Sequence, residues 1–219
     1  MTLNVIAIDG PAGAGKSTVA RAVAVATGLP FLDTGAMYRC VALRVLRQGT
    51  EVSDADAVAA LARAAQIDVD GSTVTLDGED VTSAVRTPEV NALVGPVATV
   101  SAVREIMRTA QRDWAQRRGG GVVEGRDIGT VVFPDAVLKI YLTASEEERA
   151  ARRSRESGHD RAEVARAIAE RDRIDSTRSD SPLRPAEGSV TVDSTGRSVD
   201  DVVAEIVGLF TAATGGTRG

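Results

Sequence analysis

Short apolar runs that stop at acidic or glycine residues alternate along this chain with longer stretches of helical periodicity. Val5-Ile6-Ala7-Ile8 ends at Asp9-Gly10, the pattern of a strand buried on both faces. From Ser17 to Thr27 the apolar residues Val19, Ala20, Val23 and Ala24 share one helical face, and Gly28 is placed to close that helix. Phe31-Leu32-Asp33 predicts a second strand. A helix follows from Met37 to Gln48, ended by Gly49, and another from Asp54 to Ala65 with Ser53 as N-cap. Pro88 to Arg118 reads as a long helical stretch broken near Gly95-Pro96 and ended by Gly119-Gly120-Gly121. Val122-Val123-Glu124, residues 136–142 and Val190-Thr191-Val192 supply the third, fourth and fifth strands. Ser198 to Phe210 is a closing helix, and residues 214–219 are expected to fray.

Two stretches depart from this rhythm. Ile67-Asp68-Val69-Asp70 and Thr73-Val74-Thr75-Leu76 alternate with period two around Gly71-Ser72, and Asp77-Gly78 signals a tight turn. They predict a small antiparallel hairpin inserted over residues 66–85. Residues 145–180 hold two highly charged helices, 145–157 and 161–172, flanking Gly158-His159. The remainder, residues 1–65, 86–144 and 181–210, forms the core of one domain. Its strands and helices alternate, which implies a parallel sheet with helices on both faces and ligands at the carboxyl ends of the strands.

Composition narrows the function. The 219 residues suffice for one well-cored α/β domain, and with only 3% aromatics the core must be built from Val, Ile, Leu and Ala. A net charge of -5 argues against a nucleic-acid or membrane surface. Cys40 is the only cysteine, so no internal disulfide and no cysteine metal site can form. It reads as core, as does Trp114, while His159 reads as exposed. Met1-Thr2-Leu3-Asn4 lacks a basic n-region and no long apolar span follows, so the expected location is the cytoplasm. No large apolar seam is evident, and the expectation is a monomer.

Chemistry enters with Gly10-Pro11-Ala12-Gly13-Ala14-Gly15-Lys16-Ser17, a full GxxxxGK[ST] phosphate loop between a strand and a helix, with Thr18 following. Its glycines let backbone N–H groups curl around a phosphate at a helix N-terminus. Lys16 is expected to reach the transferred phosphate and the Ser17 hydroxyl to ligate Mg²⁺ beside ATP. The fold expected is therefore an α/β P-loop NTPase-type five-stranded parallel sheet with helices on both faces, a small antiparallel β insert and a helical lid. GTPases would need an Asn-Lys-x-Asp element, and both lysines, Lys16 and Lys139, are already placed elsewhere. A kinase for a small acceptor fits the size best. A nucleotide-dependent switch or partner-binding ATPase is the alternative of another class.

Three arginine-bearing segments could hold an acceptor. Asp33-Thr34-Gly35-Ala36-Met37-Tyr38-Arg39 puts a hydroxyl and an arginine at a helix start. Glu124-Gly125-Arg126-Asp127 leaves a strand end with a cation for a phosphate and a carboxylate for an exocyclic amine. Arg171, Asp175 and Arg178 recur at helical spacing on one face, as a surface ion-pair stripe also would. Arg149, Arg152, Arg153 and Arg155 populate the first charged helix, suited to closing over a migrating phosphoryl group.

The runs IDGPAGAGKST, FLDTGAMYR, EGRDIGTVVFPDA and ERDRIDSTRSDSPL together resemble bacterial cytidylate kinases across roughly residues 3 to 210. The resemblance implies phosphoryl transfer from ATP to CMP or dCMP. It places Thr34, Arg39, Arg126 and Arg178 on the acceptor phosphate, with Tyr38 beside them. Arg104 and Asp127 would read the cytosine ring, and Arg171 and Asp175 would contact the ribose. The phosphate loop with Arg149, Arg152 and Arg153 would hold ATP and the transferring group. Two departures stand out: Thr34 where the family often has serine, and Gly95 where many members carry a serine near the base. The second loses one hydroxyl contact and bears on the preference for cytosine over uracil. A kinase for another acceptor, such as a different nucleotide, shikimate or gluconate, would not need Arg104 and Asp127.

Overall fold

The computed structural model describes residues 3–178 and 180–215, so the end of the expected frayed tail lies outside the described residues. The chain forms two compact units, one from residues 1–31 and 118–219 and one from residues 32–117.

The first unit is organised by the phosphate-loop strand. Strand β1 (Asn4–Asp9) is buried from Val5 onward, which is why its sequence is continuously apolar rather than alternating. It pairs in parallel with β6 (Gly120–Gly125) on one side and β7 (Leu138–Thr143) on the other. β8 (Val190–Asp193) extends the sheet beyond β7. The short β2 (Phe31–Asp33), where the chain leaves this unit, completes the five-stranded order β2-β6-β1-β7-β8. Helix α1 (Lys16–Thr27) buries Val19, Ala20 and Val23, and α8 (Val199–Ala213) buries Val202 and Ile206. These residues share one core with Ile6, Ile8, Val122, Ile140 and Leu142. Two more helices, α6 (Glu146–Ser157) and α7 (Arg161–Thr177), form the charged pair read from the sequence, the second reaching five residues further than expected.

Helices α2 (Thr34–Gln48), α3 (Ala55–Ala64), α4 (Pro88–Thr99) and α5 (Ser101–Arg118) build the second unit. Its antiparallel sheet has three strands, β3 (Ile67–Asp70), β4 (Thr73–Leu76) and β5 (Glu79–Asp80), rather than a two-stranded hairpin. The turn at Asp77-Gly78, both at positive φ, folds the acidic Glu79-Asp80 back beside β4, a strand too short and too polar to show a period. The indole N–H of Trp114 donates to the Val69 carbonyl at 2.9 Å, pinning α5 to that sheet.

Three further sequence expectations are corrected. The N-cap of α3 is Asp54, whose carboxylate accepts from Ala57 N–H at 3.0 Å, and not Ser53. The long helix continues through Pro96 and breaks at Val100, whose extended backbone separates α4 from α5 at a bend of 99°. Proline has helical φ and removes one donor, and burial of Val94, Val97 and Ala98 holds the following turn in place. The triple glycine does not merely end α5. Gly120 and Gly121 are the first residues of β6, and a Cβ at Gly120 would lie 2.3 Å from the Asn4 carbonyl oxygen of β1. No single helix among the described residues is long and apolar enough to cross a membrane.

Gly10 carries the tightest restraint on the loop that follows β1. At φ 151° it brings its backbone so close to β7 that a Cβ would sit 1.9 Å from the Leu142 carbonyl oxygen. Neither partner is a flexible side chain, so Gly10→Ala should destabilise the protein by at least about 2 kcal/mol in urea titration. An unchanged midpoint would contradict this packing.

Candidate active site

The phosphate loop emerges from β1 and closes at Gly15, whose left-handed backbone (φ 84°) caps α1. Ser17 and Thr18 are exposed in the first turn of α1, while Lys16 is only 6% exposed. The Lys16 ammonium donates to the Pro11 carbonyl at 2.7 Å, folding the side chain back over its own loop. Burial and the Arg126 guanidinium hold its pKa well below the usual lysine range, against the pull of Glu124.

Asp9, the last residue of β1, accepts two backbone hydrogen bonds, from Ile128 N–H at 2.9 Å and Gly129 N–H at 2.7 Å. Those amides open a π-helical turn (Ile128–Val132) that is closed by the Asp127 carbonyl accepting from Val131 and Val132. The end of β1 thereby fixes the segment that carries Arg126 and Asp127. Asp127 itself is buried. Burial raises the Asp9 pKa to about 6, opposed by the Gly129 and Ile128 N–H groups.

Asp175 of α7 is the hub of a charge cluster. Its carboxylate is 2% exposed and accepts from Arg126 Nε at 2.9 Å, pairs closely with Arg178, and lies 4.0 Å from Arg171 Nε. Burial works to raise its pKa, but Arg126, Arg178 and Arg171 together hold it below the ordinary carboxylate value. The structure thus brings together Arg126, Arg171, Asp175 and Arg178, and joins Arg126 to Asp175 rather than to its neighbour Asp127.

Of the α6 arginines, Arg149 is buried, pairs with Asp172 of α7, and donates to the Ala12 carbonyl at 3.0 Å. Arg152 is committed to protein partners: Glu148 at 2.9 Å, the Ser194 hydroxyl at 2.9 Å and the Ser194 carbonyl at 2.7 Å. Arg153 and Arg155 are exposed.

In the second unit, Asp33 caps α2 through a 3.0 Å bond from Ala36 N–H. Its other oxygen lies 3.6 Å from Arg39 and 3.9 Å from Arg86, and Arg39 Nε also reaches Asn91 at 3.4 Å. Thr34 is buried at the first position of α2, Tyr38 and Arg39 are partly buried on it, and Arg104 is 2% exposed on α5. A Cβ at Gly35 would lie 3.0 Å from the Asp33 carboxylate and 3.2 Å from Arg39, so glycine leaves room for that pair.

Four acidic or hydroxyl residues that organise these groups carry no role in the sequence reading: Asp9, Asp33, Asp172 and Ser194. Asp33 directly before a helix start carries an N-cap signal. The other three act across 23 to 180 residues of separation, which no local pattern displays.

A phosphate loop between β1 and α1, opening at the carboxyl end of a five-stranded parallel sheet, defines a P-loop nucleotide-binding protein. The family model for cytidylate kinase matches residues 6–212. The cytidylate kinase of Pelotomaculum thermopropionicum is 50% identical over 218 residues, covering 94% of this chain and 96% of its own. That of Rhodococcus opacus is 48% identical over 212 residues, with 93% of each chain covered. A gluconokinase structure from Sinorhizobium meliloti, 18% identical, superimposes with a TM-score of 0.51 over 95% of this chain and 92% of its own, a likeness of fold. The chain belongs to the cytidylate kinase family.

Asp9 yields a pH-dependent prediction. Its folded pKa of about 6 lies above the ordinary 3.8, so the native state binds the extra proton between those values. The contribution of Asp9 to stability is greatest below pH 3.8 and falls as pH rises to about 6. Urea titrations of wild type and Asp9→Asn should therefore differ by a stability gap that changes by about 2–3 kcal/mol between pH 4 and 7, in favour of wild type at the acid end. A constant gap would refute the assignment.

Proposed function

We propose that this protein transfers the γ-phosphoryl group of ATP to the 5′-phosphate of CMP or dCMP, yielding ADP and CDP or dCDP. Family membership supports the reaction. The observation that carries it at the level of side chains is the cluster of Arg126, Arg171 and Arg178 around Asp175, in the same unit as the phosphate loop. An acceptor phosphate can join Asp175 as a partner of the Arg126 and Arg178 guanidiniums.

An oxygen of the acceptor phosphate forms the new P–O bond while the bond from the γ-phosphorus to the β–γ bridging oxygen breaks, its electron pair leaving on ADP. The acceptor is already ionised at neutral pH, so alignment and charge neutralisation replace a strong general base. The loop from Gly10 to Thr18 would cradle the triphosphate with Arg149, Arg152 and Arg153. Lys16 would follow the transferred group, joined by Arg126, Arg153 and Arg178. Thr34, Tyr38 and Arg39 would serve the acceptor phosphate, Arg171 and Asp175 the ribose, and Arg104 and Asp127 the base.

Mg²⁺ fits this donor set. Ser17 is exposed at the helix start, and among the described residues no group of three acidic, His or Cys side chains forms a metal cage. Such a site suits an ion held chiefly by substrate phosphates, where it would neutralise charge on the β- and γ-oxygens. We place the protein in pyrimidine nucleotide metabolism, in the cytoplasm, as a monomer.

The test is ADP formation from ATP and Mg²⁺ with CMP, dCMP, UMP, AMP and GMP supplied separately. Fast turnover with CMP and dCMP, weak with UMP and negligible with purines is expected. Equal CMP and UMP rates would refute base reading by Arg104 and Asp127 and point to Gly95. Lys16→Ala should abolish turnover while far-UV circular dichroism stays native; near-full rate would sink the mechanism. Asp127→Ala should raise KM for CMP with KM for ATP little changed, and an unaltered CMP value would refute that role.

A further inference from the structure

We propose that Asp172 is a positioning residue for ATP, clasping the phosphate loop and Arg149 together. The proposal rests on the ATP-dependent reading above. Both sides of Ala12 are gripped by one ion pair. Its N–H donates to Asp172 Oδ1 at 3.0 Å, and its carbonyl accepts from Arg149 Nη1 at 3.0 Å. The same Nη1 pairs closely with Asp172 Oδ2, closing a ring of loop, α6 and α7. Around it, the Ala12 side chain shares a small apolar cluster with Val164 and Ile168 of α7. The α6 backbone presses on the next residue, since a Cβ at Gly13 would lie 3.0 Å from the Arg149 carbonyl oxygen.

The consequence follows from the loop's composition. Gly10, Gly13 and Gly15 all adopt positive φ, so the loop needs glycine and carries the conformational freedom that comes with it. Fixing Ala12 from outside lowers the entropy that the loop must lose when its amides gather on a triphosphate. Asp172 also sets the direction of Arg149, a buried cation whose Nε makes no hydrogen bond among the described residues. A guanidinium anchored through one terminal nitrogen keeps its remaining N–H groups for phosphate oxygens. Asp172 is 18% exposed in its side chain and acts through Arg149 and Ala12, without needing to touch the nucleotide.

Asp172→Ala and Asp172→Asn separate this role from general support. ATP·Mg²⁺ affinity is read by calorimetric titration, and KM for ATP, KM for CMP and kcat by coupled assay. Asp172→Ala should weaken ATP about tenfold while KM for CMP moves less than about twofold. Asp172→Asn keeps an oxygen for the Ala12 N–H and should fall between wild type and Asp172→Ala, and its near-isosteric side chain guards against a misfolded alanine variant. In an Arg149→Ala background, Asp172→Ala should cost clearly less than it does alone. Unchanged ATP affinity in both variants, equal losses for ATP and CMP, or fully additive losses with Arg149→Ala would each overturn the clasp. A wild type that binds ATP with this pattern yet fails to phosphorylate CMP would refute the proposed reaction and leave the clasp standing.

Discussion

Cations gathered at one end of a sheet repel one another and lose hydration, and the phosphate-loop unit can hold them only by burying carboxylates among them. Asp175 is the centre of that arrangement, with Arg126, Arg178 and Arg171 around a carboxylate that is nearly inaccessible to water. Desolvation alone would push such a group toward its neutral form; three guanidiniums outweigh it and keep it ionised. A buried pair of this kind contributes modestly to net stability. Removing one partner, however, leaves uncompensated charge at a cost of about 3–5 kcal/mol. Its value lies in fixing where the guanidiniums point.

Helix α7 repeats the device one turn earlier. Asp172 and Asp175, three residues apart, face different arginines: Asp172 meets Arg149 beside the phosphate loop, and Asp175 meets the Arg126 group. One helix therefore balances charge for both sets. The high content of arginine over lysine becomes physically useful here, because a planar guanidinium can satisfy a carboxylate and a backbone carbonyl together, as Arg149 does. Lys16 is the exception that shows the cost. Its ammonium donates to the Pro11 carbonyl, and burial together with the Arg126 guanidinium holds its pKa well below the usual lysine range.

How much of this the sequence discloses depends on the range of each interaction. The phosphate loop is legible because strand, loop and helix are contiguous, and the order of strands and helices is legible because both faces of β1 and β6 are buried. The spacing of Arg171 and Asp175 holds on α7, while Arg178 lies just past the helix end as its C-cap and pairs with the same carboxylate. What spacing cannot disclose is that the third partner of Asp175 is Arg126, 49 residues away. The bend at Val100 escapes notice for the opposite reason: Gly95-Pro96 is a strong local breaker signal that burial of Val97 and Ala98 overrides. Likewise β5 is two acidic residues, and only the positive-φ turn at Asp77-Gly78 makes it a strand.

Asp9 shows why a residue read only as the end of a strand carries part of the site. Its two oxygens receive the first two amides of the π turn, so the segment after β6 is set by the strand that also launches the phosphate loop. A neutral side chain of similar shape offers one acceptor where two are needed, and a shorter one offers none. The raised pKa is the trace of this compromise: the position is too buried for a comfortable carboxylate, and the chain keeps the acid because nothing else accepts both amides. The phosphate loop and the Arg126-Asp127 segment are therefore held to one reference point, the last residue of β1, before any nucleotide is bound.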